Sequence, residues 1–284
     1  MNKFPLDALI DQAVKWLQIN YGESVDAFSA AFSESINFMG DSLAMVPWWL
    51  IILVFAVIAW RCNGWKLSLG TVIGLYIIYN LRLWAPFLDT LILVIISAAL
   101  SIIIGIPLGI MAAKSNKFHK GISPVLDVMQ TMPSFVYLIP ALLFFGIGKV
   151  PAVFSTVIFA MPPAIRFTDL GIRQVPTDLV EVGEAFGSSP GQLLWKIQMP
   201  VALPTIMAGI NQTVMLSLSM VVISAMIGAG GLGAGVLEAI SQLKIGMGFE
   251  YGIAVVIIAI ILDRISQGIG RSLGTVDNKN NKEE

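Results

Sequence analysis

Long apolar runs separated by short polar islands dominate this chain. The runs lie near residues 45–60, 67–85, 88–113, 122–146, 150–168, 204–227 and 250–270. A helix needs ~20 apolar residues to cross a bilayer, with a range of about 17–25, so the pattern predicts an all-α membrane protein with about seven transmembrane helices. The first run is the shortest. Trp48 and Trp49 begin it, Trp60 ends it, and Trp65 and Trp84 bracket the second, as interfacial anchors do. Ahead of these runs the rhythm changes. Leu6, Leu9, Ile10, Ala13, Val14, Leu17 and Tyr21 recur at helical spacing, with Asp7, Asp11, Lys15 and Gln18 on the other face. Val25, Phe28, Phe32, Ile36 and Met39 form a second stripe. The two stripes predict amphipathic helices, over 4–21 and 25–39, on the membrane surface or against the bundle. Asp7 and Asp11 interrupt the place where the apolar region of a cleavable signal peptide would fall.

Composition supports the lipid reading. Of 284 residues, 56% are hydrophobic and 12% charged, against about 25% charged in soluble domains. The net charge of −1 gives no electrostatic basis for binding nucleic acid. One cysteine, Cys62, and one histidine, His119, exclude an internal disulfide and a metal cluster of the usual kind. His119 lies in a basic turn with Lys114, Lys117 and Lys120 and reads as a solvated side chain.

Basic residues set the orientation. Arg61, Lys66, Lys114, Lys117, Lys120, Arg166, Arg173, Lys196, Arg271, Lys279 and Lys282 fall on one side, and Lys3, Lys15, Lys149 and Lys244 on the other. The richer side is expected in the cytoplasm, which leaves the N-terminus outside and the C-terminus inside. Within the spans, Gly105, Pro107, Gly109, Pro133 and Pro140 predict kinked or closely packed helices, and Pro162 and Pro163 are expected to end the fifth. The charges Arg82, Asp127, Asp263 and Arg264 fall near span ends, where they reach water. The lack of a mid-membrane carboxylate counts against a proton- or sodium-driven carrier.

The polar island at 169–203 is the main functional candidate. It runs Glu181, Val182, Gly183, Glu184, Ala185, Phe186, Gly187, and then Ile197, Gln198, Met199, Pro200. A short helix capped by Thr177 or Asp178, a break at Gly187, Pro190 and Gly191, and a second short helix would make a rigid knob. Pro200 is expected to end the element and Pro204 to open the next span. Two other glycine-rich stretches carry little. Gly228, Gly230 and Gly233 fit G-x-G-x-x-G by letter, but a transmembrane run precedes them where a dinucleotide site needs a strand. They read as a tight turn at the outer end of the sixth span, with a short helix over 234–243. Gly148 and Lys149 lack the rest of a phosphate loop, since Leu143 and Val150 stand where glycine and a hydroxyl residue are required.

The island resembles the coupling-loop signature of ABC importer permeases, E-A-A-x-x-x-G-x(9)-I-x-L-P. Glu181, Gly187, Ile197 and Pro200 match in spacing, while Val182, Gly183 and Met199 replace two alanines and a leucine. Asp127 to Pro140, with Met129, Gln130, Met132, Pro133, Phe135 and Tyr137, and Phe145 to Gly148 beyond it, is similar to the central span of permeases for glycine betaine and related quaternary amines. So is Pro162 to Pro176. The likeness covers roughly 86–270.

The resemblance implies a type I ABC importer permease fold. It implies an extracytoplasmic segment over 1–44, two peripheral helices over 45–85, a five-helix core over 86–270 and a cytoplasmic polar tail over 271–284. It implies a multi-pass protein of the bacterial cell membrane that forms a homodimer, docks two cytoplasmic ATPase subunits and receives a compatible solute from an external binding protein. ATP and magnesium are expected in the partner subunits, with no cofactor and no catalytic or metal-binding residue in this chain. Glu181, Gly183, Glu184, Ala185, Gly187, Ile197 and Pro200 are the expected coupling residues, and Met129, Met132, Phe135 and Tyr137 the expected path lining. A permease for methionine or another small solute and, from another class, a stand-alone secondary carrier are the alternatives. Betaine, carnitine, choline and proline all remain open as solutes.

Overall fold

The computed structural model describes the backbone over residues 6–280 and side chains chiefly over 19–270. Among the described residues every regular element is helical. The first, α1 (Leu6–Met45), is one continuous helix where two were expected. The Gly22, Glu23, Ser24 interval between the stripes carries no helix-breaking proline, so the helix runs through. α1 meets α2 (Trp48–Asn63) at 98° around Pro47. Ile36, at 1% exposure, and Gly40, which faces Ile92, hold α1 to the bundle.

α2 and α3 (Trp65–Asn80) form a hairpin about Gly64, whose φ of +84° suits glycine. Their bounds are shifted from the expected 45–60 and 67–85, and Arg82 stands in the turn after α3. At 16 residues each, they are ~24 Å long, shorter than the bilayer core. α4 (Trp84–Lys114) then runs 31 residues through Pro107.

The expected span over 122–146 is two helices. α5 (Asn116–Thr131) and the segment Ser134–Phe145, which ends in α6 (Leu138–Phe145), meet at 109°. The cause is local. Met132 precedes Pro133 and is extended, at φ −69° and ψ 135°, because a proline ring crowds the helical conformation of the residue before it. α7 (Lys149–Arg173) does not end at Pro162 and Pro163 but passes through both.

After α7 come α8 (Thr177–Ala185), α9 (Pro190–Leu193), a wide turn over Leu194–Gln198 and α10 (Met199–Ile223). Residues 169–173 of the expected loop therefore belong to α7 and 199–203 to α10. Pro204 lies inside α10 rather than opening it. α11 (Gly231–Ser241) follows the glycine turn, near the short helix expected at 234–243. α12 (Ile245–Asn280) carries Asp263 and Arg264 in its interior and continues through the expected tail to Asn280.

Four helical stretches are each long and apolar enough to cross a membrane, and each of two bent pairs adds one if it counts as a single span. Contacts set their directions. Asp89 and Lys149, near the starts of α4 and α7, pair at 2.9 Å, while Arg173 at the end of α7 reaches Ala112 near the end of α4. These two helices are parallel. Gly209 of α10 faces Phe167 and Gly171 faces Thr205, so α10 runs antiparallel to α7. Glycine makes these crossings close: a Cβ at Gly109 would lie 2.6 Å from Thr168 Cβ and 2.7 Å from the Ile165 carbonyl, and one at Gly105 2.7 Å from Ala164 Cβ. At the end of the bundle opposite residues 174–198, Thr90 Oγ1 accepts from the Leu232 backbone N–H at 2.8 Å and so caps α11 from another helix.

Candidate functional site: a capped helical knob and the helices behind it

The knob is built from backbone closure at its turns. Pro176, at φ −54°, stands at the N-cap of α8, and neither Thr177 nor Asp178 caps it. At its C-terminus the Gly187 N–H donates to the Glu184 carbonyl at 2.8 Å and the Ser188 N–H to the Gly183 carbonyl at 3.0 Å. This paired closure needs a left-handed residue, and Gly187 supplies it at φ +78°. Ser189 then opens α9 with a capping box: its Oγ accepts from the Gln192 N–H, and Gln192 Oε1 accepts from the Ser189 N–H at 2.9 Å. Pro190 occupies the first helical position of α9 rather than the expected break.

Gly183 and Ile197 define the knob's inner seam. A Cβ at Gly183 would lie 2.5 Å from Ile197 Cδ1 and 2.7 Å from Leu193 Cδ1, so α8 lies directly on the turn that leads into α10. The outer face is apolar and exposed. Leu179, Val182 and Trp195 are exposed, and Phe186 is 87% exposed. Glu181, Glu184 and Ala185 are exposed beside this apolar set, and Pro200 is exposed at the start of α10. The expected coupling residues thus divide into two sets: Gly183, Gly187 and Ile197 shape the knob, and Glu181, Glu184, Ala185 and Pro200 are presented on it.

Behind the knob the structure corrects the reading of His119. It is not simply solvated: its Nδ1 lies 2.6 Å from Asp169 Oδ2. Asp169, 8% exposed, also accepts from Arg173 Nε at 2.7 Å. Arg173 donates in addition to Asn116 Oδ1 at 2.7 Å and to the Ala112 carbonyl at 2.6 Å. Asp127, expected only to reach water, pairs with Arg166 at 2.5 Å. Arg166, Asp169 and Arg173 fall on one face of α7, and Asn116, His119 and Asp127 on one face of α5. These polar stripes were the available sequence signal. A cavity of about 280 Å³ lies between them, walled by Ala112, Leu126 and Ile165 as well as the charged groups.

The expected path residues separate. Tyr137 is buried, donates its hydroxyl to the Met129 carbonyl and meets Phe159 edge-on at 5.7 Å. Met132 and Tyr137 line an apolar cavity of about 490 Å³ with Phe144, Phe145 and Phe154. Phe135 is 53% exposed and does not line it. Phe145 and Phe154 stack on each other at 4.3 Å, so these two faces are turned together rather than held open for a cation.

The described elements thus form a helical bundle with several helices of membrane-spanning length and a structured knob between α7 and α10. The family model described as the binding-protein-dependent transport system inner membrane component matches residues 105–274, and the chain belongs to that family. It is 49% identical over 267 residues to the glycine betaine transport system permease protein OpuAB of Bacillus subtilis (strain 168), covering 94% of this chain and 95% of that one. It is 52% identical over 254 residues to the glycine betaine/carnitine transport permease protein GbuB of Listeria monocytogenes (88% and 86%). It is 45% identical over 267 residues to the glycine betaine/proline betaine transport system permease protein ProW of Escherichia coli (strain K12), covering 94% of this chain and 75% of that one. The MetNI methionine ABC transporter, solved in an inward-facing conformation, shares the fold at a TM-score of 0.61 and 21% identity, over 67% of this chain and 95% of that chain. The chain is a multi-pass membrane protein with the type I ABC importer permease fold.

Proposed function

We propose that this chain is the permease of an ATP-driven importer that carries glycine betaine or a related quaternary amine into the cell. The knob carries the mechanistic part of this reading: an apolar face standing outside the bundle, with its two helices closed by backbone hydrogen bonds and fixed by the Gly183–Ile197 seam. Such a surface suits docking of a soluble partner, and its rigidity suits transmission of force. The partner is a cytoplasmic ATPase subunit, one for each permease of a homodimer, and the ATPase supplies the chemistry of ATP and magnesium. The richer set of basic residues lies at the knob end, which supports a cytoplasmic knob and an N-terminus outside.

The solute class is supported by the three glycine betaine relatives, which cover most of this chain and of themselves. Methionine is disfavoured, since the methionine transporter supports only the fold. A stand-alone carrier is disfavoured by membership of a binding-protein-dependent family. Solute selection is assigned to an external binding protein: Phe135 does not line the cavity that Tyr137 lines, and Phe145 and Phe154 turn one face each toward the other. The test is to purify the permease with its ATPase and measure which solute, presented by the binding protein, stimulates ATP hydrolysis. Glycine betaine is expected to stimulate. Stimulation by methionine alone, or the absence of any associated ATPase, would overturn the reading.

A further inference from the structure

α5 is held unusually. Leu126 is its one buried residue, so apolar packing does little to fix it. Its links to α7 are polar: Asn116 to Arg173, His119 to Asp169 and Asp127 to Arg166. Arg173 commits its three nitrogens to Asp169, Asn116 and the Ala112 carbonyl, and so ties the ends of α4, α5 and α7 in one place. The knob begins three residues later, at Pro176. The connection is stiff. The Gln174 N–H donates to Leu170 O and the Val175 N–H to Ile172 O, Val175 is buried, and Pro176 has a ring-locked φ. At its other end α5 stops at the 109° bend around Met132 and Pro133.

We propose that the Asp169, Arg173, His119 and Asn116 cluster is the joint through which movement of the knob reaches α5. A displacement of the knob moves the end of α7. The cluster carries the start of α5 along with it, and α5 turns about its bend against α6. Asp169 is the hub, because both His119 and Arg173 bond to its carboxylate. These are positioning residues, and the inference rests on the transport reading above.

The test uses the permease reconstituted in liposomes with its ATPase and binding protein, and reads solute imported per ATP hydrolysed, normalised to assembled complex. Asp169→Asn and His119→Ala are each expected to lower that ratio about tenfold, the scale of one lost hydrogen bond to a charged group. The double variant is expected to be no worse than the poorer single, because the residues act as one unit. Lys117→Ala, exposed on the same helix, serves as the unchanged control. His119→Ala leaves the bond between Asp169 and Arg173 in place, so it reports even if Asp169→Asn fails to assemble. An unchanged ratio in His119→Ala overturns the proposal, as does loss of assembled complex with a normal ratio in what remains. If the unaltered complex imports nothing with ATP, the transport reading itself fails, which is a separate result.

Discussion

Gly187 and Gly109 are constrained for different reasons. At Gly187 no neighbour lies within 4 Å of an added Cβ, yet φ is +78°. The demand is conformational, and a β-branched side chain there is strained by roughly 1–3 kcal/mol. Gly187→Val is therefore expected to leave membrane insertion intact while opening the closure on Gly183 and Glu184. Uptake should fall about tenfold, since a 1.4 kcal/mol change is a factor of ten in an equilibrium. Fractionated membranes and labelled solute would check both halves. At Gly109 the demand is space, because α7 backbone lies 2.7 Å from the added atom. Gly109→Ala should destabilise the purified protein by about 1–3 kcal/mol. Gly121→Ala on exposed α5 meets nothing within 4 Å and should be neutral or stabilising by about 0.5–1 kcal/mol. Thermal unfolding of the two variants in detergent should move in opposite directions, or Gly109 alone should move.

The knob makes the clearest prediction for a single element. Phe186 is exposed and contributes nothing to the seam under α8, so Phe186→Ser should not change the stability of the permease alone. As an aromatic anchor it should weaken ATPase association by about 2 kcal/mol, which titration of the ATPase onto immobilised permease would detect. Equal affinity would show that the knob's apolar face is not the docking surface. Much at this scale was legible beforehand. The runs behind α4, α7, α10 and α12 are long, and Gly187 fell at the turn that closes α8, whereas Pro190 and Gly191 belong to α9 and Pro204 to the interior of α10. What was missed has physical reasons. Pro162 and Pro163 look like a stop, but α7 continues through both with neighbouring helices packed closely around it. Pro133 looked like a kink, yet the extended Met132 before it breaks the run into two helices. The pairs His119 with Asp169, Asp127 with Arg166 and Asp89 with Lys149 join residues 39 to 60 positions apart. Periodicity marks polar faces but does not say which faces meet.

For the whole molecule, the contacts fix the relative direction of the helices, and the proposed orientation, with the knob end in the cytoplasm, rests on the basic residues. α1 lies by the starts of α4 and α7, while α12 runs antiparallel to α10 with Asp263 bonded to Asn211. Single cysteines at Ser24 and Asn278, in a Cys62→Ser background, should label oppositely with an impermeant thiol reagent on intact cells. Equal labelling would reject the orientation. Exchanging the external binding protein for one with another ligand preference and the same docking surface should change the solute imported; specificity that instead follows substitutions at Tyr137 would place selection in the permease.

The most direct test of the central claim is uptake of labelled glycine betaine by liposomes that contain the permease and its ATPase. ATP is enclosed inside with the knob face, and binding protein is supplied outside. The account predicts accumulation against a gradient that requires ATP, the ATPase and the binding protein together. Accumulation driven by a proton or sodium gradient without ATP, or by the permease alone, would contradict it.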